Sequence, residues 1–116
     1  MLDVGPDDML PIGGIRKCAH DNRQFVLVRI GDGTYHAVRN ICPHQGVDLG
    51  EGVLVGHNEP GEVGSHDYVE TYSTIRCPRH GYGFDVTTGC SWFDPERIRI
   101  KAYDVRVADG RVLVDI

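Results

Sequence analysis

No apolar stripe at helical spacing persists for more than a turn or two anywhere in the 116 residues, and this constrains the fold more than any single motif. Short alternating or β-branched runs recur instead between turn signals, which is the pattern of strands. Phe25-Val-Leu-Val-Arg-Ile30 is the clearest of them. Gly31-Asp-Gly33 supplies a tight turn, and Thr34-Tyr-His-Ala-Val38 returns as its hairpin partner. Tyr103-Asp-Val-Arg-Val107 and Arg111-Val-Leu-Val-Asp-Ile116 make a second hairpin across Ala108-Asp-Gly110, while Thr71-Tyr-Ser-Thr-Ile-Arg76 and Phe84-Asp-Val86 are short strands flanking loops. The expectation is an all-β fold, a small antiparallel barrel or sandwich of about eight to ten strands with long loops.

A chain of this length has room for one domain, so residues 1–116 are read as a single unit able to bury its own core. The polar, turn-rich segment from Gly56 to Asp67 reads as an exposed insertion within that domain. Formal net charge is −5, with no basic run, which argues against nucleic acid and anionic membrane surfaces and favours a partner with a positive docking patch. No apolar run approaches the roughly 20 residues of a membrane span. Met1-Leu-Asp-Val-Gly-Pro-Asp-Asp lacks the basic and then apolar segments of a signal peptide, so the expected location is cytoplasmic. In that compartment four cysteines suggest metal or redox chemistry before disulfides.

Two segments look like variants of one another. Cys42-Pro-His44-Gln-Gly46 and Cys77-Pro-Arg-His80-Gly81 each offer one thiolate and one imidazole, with proline after the cysteine and glycine beyond the histidine. Proline fixes the local backbone and glycine lets the chain turn around a bulky centre. Two sulfur and two nitrogen ligands admit tetrahedral zinc, or a [2Fe–2S] cluster with both cysteines on one iron and both histidines on the other. Common zinc modules bring like ligands together in each pair. Here each loop contributes one of each kind, which lets each reach both irons, and the spacing favours the cluster.

Those four residues, Cys42, His44, Cys77 and His80, resemble the ligand motif of the Rieske family, and the strand pattern from about Phe25 to Ile116 fits its domain. The resemblance implies an antiparallel β-fold with a small cluster-binding subdomain, one [2Fe–2S] cluster, and electron transfer in place of catalysis. Cys42 and Cys77 would hold the buried ferric iron, and His44 and His80 the iron that changes valence. High-potential members carry an extra cysteine in each loop, joined as a disulfide. Those positions are Val47 and Arg79 here. The serine and tyrosine that such members place after the second loop correspond to Tyr82 and Phe84. Fewer donors to sulfur stabilise the reduced cluster less, so a low-potential member is expected, near or below about −100 mV. Residues 45–76 also make the span between the loops about twice that of the simplest ferredoxins of the family. The expected role is a monomeric ferredoxin fed by a flavin-containing reductase and serving a terminal oxygenase. A small subunit of a reductase such as nitrite reductase is the alternative, and a redox-silent zinc module a more remote one.

The other candidate residues have plainer readings. Cys18-Ala-His20 repeats the Cys-x-His spacing but lacks the flanking proline and glycine, so an idle thiol beside a surface histidine is expected. Cys90 reads as a small packed thiol. His57, His66 and Asp67 could compose a two-histidine, one-carboxylate iron site, but solvated loop residues are the simpler reading. His36 reads as a sheet histidine. Trp92 and Phe93 are expected under the cluster loops or in the core, and Arg79 near the exposed edge of the cluster.

Overall fold

The computed structural model describes residues 2–41, 48–60, 66–78, 83–92 and 94–116, and for 56–60 and 66–71 the backbone alone. Its strands are β1 (Leu2–Pro6), β2 (Ile15–His20), β3 (Arg23–Arg29), β4 (Tyr35–Arg39), β5 (Val53–Pro60), β6 (His66–Arg76), β7 (Gly83–Asp85), β8 (Ala102–Ala108) and β9 (Arg111–Asp115). The helical content of the described residues is one 3-10 turn, Leu49–Glu51. Six strands form a sheet in the order β1-β9-β8-β4-β3-β2, and three form a second in the order β5-β6-β7. The pairings that carry a residue register are all antiparallel. The all-β antiparallel architecture is the one expected from the sequence.

Strand β3 is the spine. Successive side chains of a strand point to opposite faces, and Phe25, Val26, Leu27 and Val28 are all buried, so both faces of β3 are covered. Val26 and Val28 join Val38, Leu49, Leu54, Ile75, Phe84 and Val86 in one core. Phe25 and Leu27 join Tyr35, Ala37, Val112 and Val114 in the other, which requires the six-stranded sheet to curl until β9 faces β3. Two-residue turns fix the registers. Asp21 and Asn22 (φ 49° and 65°) link β2 to β3, and Asp109 and Gly110 (φ 53° and 73°) link β8 to β9, the left-handed pairs that suit the twist of a hairpin.

The sequence pattern begins at Phe25, whereas two strands precede it. Both lie at sheet edges, where one-sided burial writes a weak pattern. β1 carries Gly5 and Pro6, which read as turn residues, and meets β9 through a register shift between Asp3 and Gly5. β2 is largely exposed and bears Arg16 and Lys17, charges that blunt an open edge.

The segment Gly56–Asp67 departs from expectation more sharply. Its described residues are strand, not loop: residues 57–60 continue β5 and pair with residues 66–69 of β6, His57 opposite Val69 and Pro60 opposite His66. The extra span between the ligand loops is therefore a hairpin arm. It leaves the core at a register shift between Val55 and His57, across from Tyr72, whose φ of 51° is left-handed for a residue with a side chain. Composition misled because a polar, glycine-bearing sequence can still pair through its backbone.

Candidate metal centre

Each candidate ligand segment follows a strand end, and the residues on either side of it are described where the segment itself is not. Strand β4 runs out at Arg39, followed by buried Asn40 and then Ile41. The Asn40 amide N–H donates to the Gln24 carbonyl at 3.0 Å. Its side chain reaches across the first loop: Oδ1 accepts the Gly50 amide at 2.8 Å and Nδ2 donates to Gln24 Oε1 at 3.4 Å. The residue two positions before Cys42 thus holds the backbone that resumes after Val47. Lys17 of β2 adds an outer tie, bonded to the Glu51 carboxylate and 4.0 Å from Asp48. The hydrogen bond with Glu51 pushes the Lys17 ammonium above its ordinary value.

The second loop leaves from β6. Cys77 follows Arg76 directly and is 2% exposed, packed among the residues of the first core. Val53 pairs with Arg76, and Gly52 comes so close that a Cβ placed on it would lie 1.9 Å from the Arg76 carbonyl oxygen. Glycine is required at 52 because the chain leaving the first loop passes hard against the chain entering the second. Glu51, Gly52, Val53, Arg76, Cys77 and Pro78 line one hollow of about 340 Å³. The exit of one loop and the entrance of the other therefore share a wall, with the Cys77 thiol at the boundary of the core. A sulfur donor kept from water beside a second loop that offers another sulfur and a histidine suits a buried iron–sulfur centre.

Of the four ligands expected from sequence, Cys77 lies where a metal ligand could serve. Cys42, His44 and His80 lie outside the described residues, as do Val47, Arg79, Tyr82 and Phe93. Phe84 is fully buried in β7, paired with Ile75, and brings no hydroxyl toward the second loop. Trp92 corrects the expectation of a core position: it is 50% exposed, its amide donates to the Gly83 carbonyl at 3.0 Å, and its Nε1 donates to Thr74 Oγ1 at 2.8 Å. The polar edge of the indole is held at the base of β7 while its apolar face meets solvent.

Cys18, His20, Cys90 and His36 keep their plain readings. Cys18 is half-buried on β2, and burial pushes its thiol up, away from the thiolate that binds metal. His20 Nε2 lies 3.3 Å from Asp21 Oδ2. Cys90 is partly buried, its amide donating to Thr88 Oγ1 at 3.2 Å. His36 stands in β4 with Nε2 2.9 Å from Thr34 Oγ1, and burial lowers its pKa against the opposing pull of Asp32 and Asp85. His57, His66 and Asp67 lie on the paired strands β5 and β6, not in the loop expected for them. Sequence reasoning missed Asn40, Gly52 and Lys17. Asn40 alone left a trace, as a polar residue closing an apolar strand just before a candidate ligand.

A curled β-frame whose two cysteine-bearing loops spring from adjoining stems defines a class of metalloprotein, and the comparisons identify it. The Rieske [2Fe–2S] domain matches residues 1–104, and the chain belongs to that family, whose cofactor is one [2Fe–2S] cluster. It is similar to the ferredoxin component of the naphthalene 1,2-dioxygenase system of Pseudomonas aeruginosa, 26% identical over 107 residues that cover 92% of this chain and 86% of that one. Among solved structures it resembles the ferredoxin of carbazole 1,9a-dioxygenase from Nocardioides aromaticivorans IC177, with a TM-score of 0.75, 30% identity, and coverage of 97% of this chain and 94% of that one. It also resembles a Mycobacterium tuberculosis protein assigned as the small subunit of an NADH-dependent nitrite reductase, with a TM-score of 0.74, 25% identity, and coverage of 97% and 91%. No helix among the described residues is long and apolar enough to cross a membrane.

Proposed function

We propose that Cys42, His44, Cys77 and His80 hold the cluster, and that residues 1–116 form one domain acting as a monomeric, cytoplasmic ferredoxin. It takes single electrons from a flavin-containing reductase and passes them to a terminal oxygenase, and it is not an enzyme by itself. The observation that carries this reading is the shared wall at Gly52 and Arg76, which sets the stems of both ligand loops side by side with Cys77 buried between them. The likeness to ferredoxin components of dioxygenase systems supplies the direction of electron flow.

When bound, the cluster supplies one-electron redox chemistry at a potential set by its ligands, hydrogen bonds and exposure. The chain's own residues keep water from the Cys77 sulfur and fix the loop stems. They also leave Ile41, Val53 and Trp92 as exposed apolar groups beside those stems, the mixture of apolar contact and accessible rim that brief protein encounters use. The absence of a hydroxyl at Phe84 supports a low potential, near or below about −100 mV, and a midpoint well above zero would overturn that assignment.

A fixed small subunit of a nitrite reductase is the second reading, favoured by the Mycobacterium tuberculosis similarity. Co-purification with a large partner would select it, whereas a free carrier runs alone. The first experiment measures iron, acid-labile sulfide and zinc per chain on anaerobically purified protein. About two irons and two sulfides are expected. One zinc without sulfide would replace the carrier with a structural metal module.

A further inference from the structure

One open cleft on the described surface shares no lining residue with the Cys77 hollow and carries the opposite charge to the chain as a whole. It has a volume of about 430 Å³ and is lined by Asn22, Arg23, Gln24, Arg39, Lys101 and Tyr103. Acidic residues outnumber basic ones by 17 to 12 in the sequence, yet three cations and no carboxylate line this cleft. Among the described residues none of the three makes an ion pair: Asp21, the nearest carboxylate in sequence, is engaged with His20 at 3.3 Å. Gathering three like charges without a counter-ion is unfavourable in the isolated protein, and an anion supplied from outside relieves it.

The cleft is built, not incidental. The left-handed pair Asp21–Asn22 places Arg23 at the head of β3. The Arg39 amide donates to the Lys101 carbonyl at 2.9 Å, which sets these two residues side by side where β4 ends and β8 begins. Tyr103 forms the floor, its ring edge-on to buried Phe25 with centroids 6.2 Å apart, and the Lys101 ammonium stands 6.0 Å from its centroid. Arg39 stands three residues before Cys42, so their Cα atoms are separated by at most about 11 Å.

We infer that this cleft is a docking site for a carboxylate-bearing face of a redox partner protein, which it steers toward the first ligand loop. The inference rests on the carrier reading above and adds the charge of the partner. It differs from what the net charge alone suggests, a positive partner patch, because the local field at the cleft governs approach within a Debye length of about 8 Å at physiological salt. Formation of a guanidinium–carboxylate pair at a partly walled cleft orients the encounter as well as accelerating it.

Two measurements test it on the holo-protein. In the first, the oxidised protein is titrated with a short synthetic poly-glutamate peptide, and backbone amide shifts are followed. Shifts centred on Arg23, Arg39 and Lys101, lost in Lys101→Glu and kept in Arg106→Glu, are expected. Arg106 is exposed toward the far end of β8, and its reversal changes net charge equally. In the second, dithionite-reduced protein gives one electron to ferricyanide, which becomes ferrocyanide as the cluster returns to its oxidised state. At low ionic strength Lys101→Glu is expected to slow this oxidation about fivefold and Arg106→Glu less than twofold, with the difference vanishing at high salt. Arg23→Glu should behave as Lys101→Glu, which guards against a local folding effect at one site. Equal slowing by the near and far reversals, or amide shifts scattered over all basic residues, would overturn the inference. A colourless zinc protein would instead defeat the carrier reading while leaving the peptide titration intact.

Discussion

The two sheets differ in how they own their cores. The six-stranded sheet curls around Phe25, Leu27, Tyr35, Ala37, Val112 and Val114, a cluster drawn from its own strands. Among the described residues the three-stranded sheet has no such interior: Leu54, Ile75 and Phe84 share their core with Val26, Val28 and Val38 of the larger sheet. One half is a frame and the other leans on it, and the leaning half carries Cys77. Loss of packing in the frame should therefore weaken the whole protein, whereas loss in the smaller sheet should also release metal.

The largest test of this asymmetry is a pair of truncations. Phe84→Ala is expected to cost about 3–5 kcal/mol and Leu27→Ala about 2–5 kcal/mol in denaturant unfolding. Only Phe84→Ala should lower the iron content of the protein that remains folded, measured per chain at a temperature where both variants are native. Equal iron loss in the two would mean that the halves are not distinct. Next comes the shared wall. Gly52→Ala drives a methyl group into the Arg76 carbonyl and should cost about 3 kcal/mol or more with poor cluster retention. Gly110→Ala, with open space around it but a φ of 73°, should cost about 1 kcal/mol and leave iron unchanged.

A smaller effect is expected at the stem of the first loop. Asn40→Ala removes the acceptor for the Gly50 amide and should cost about 1–3 kcal/mol. Faster loss of iron to a chelator would accompany it, while the conservative Asn40→Asp, which keeps an acceptor oxygen, should recover most of the retention. The smallest effect concerns His36, on the β4 face turned toward β7. Burial holds its folded pKa below the unfolded value of about 6.5, so the unfolded chain binds a proton that the folded chain resists. Stability is full above that value and declines as pH falls through the lowered folded pKa. His36→Gln should flatten the decline, read as denaturation midpoints compared between neutral pH and about pH 5. An unchanged slope would remove the seam histidine from the account.

The parts of this architecture that were legible in the sequence are those where burial is strong and local. Phe25–Val28 announces itself because both faces are covered, and Asp109-Gly110 because a two-residue turn demands left-handed residues. The proposed ligand segments stand out in the sequence for a chemical reason, since thiolate and imidazole at fixed offsets between proline and glycine have few other uses. What the sequence hid depends on partners distant along the chain. Gly52 reads as one glycine among 15 until Arg76 is brought against it. Asn40 gains meaning only when Gly50 returns beneath it. The arm made by β5 and β6 was hidden because its pairing runs through backbone groups, which every residue type possesses.

The pairing of β1 with β9, Leu2 opposite Val114, also fixes an order of manufacture. β1 leaves the ribosome long before its registered partner β9, so the strand waits with that edge open until β9 has emerged. Both ligand loops emerge well before Val112 and Val114 can complete the core around Phe25 and Leu27. In the growing chain both cysteine-bearing segments are thus made before the core around Phe25 and Leu27 can close, the reverse of the order in which the finished halves support one another.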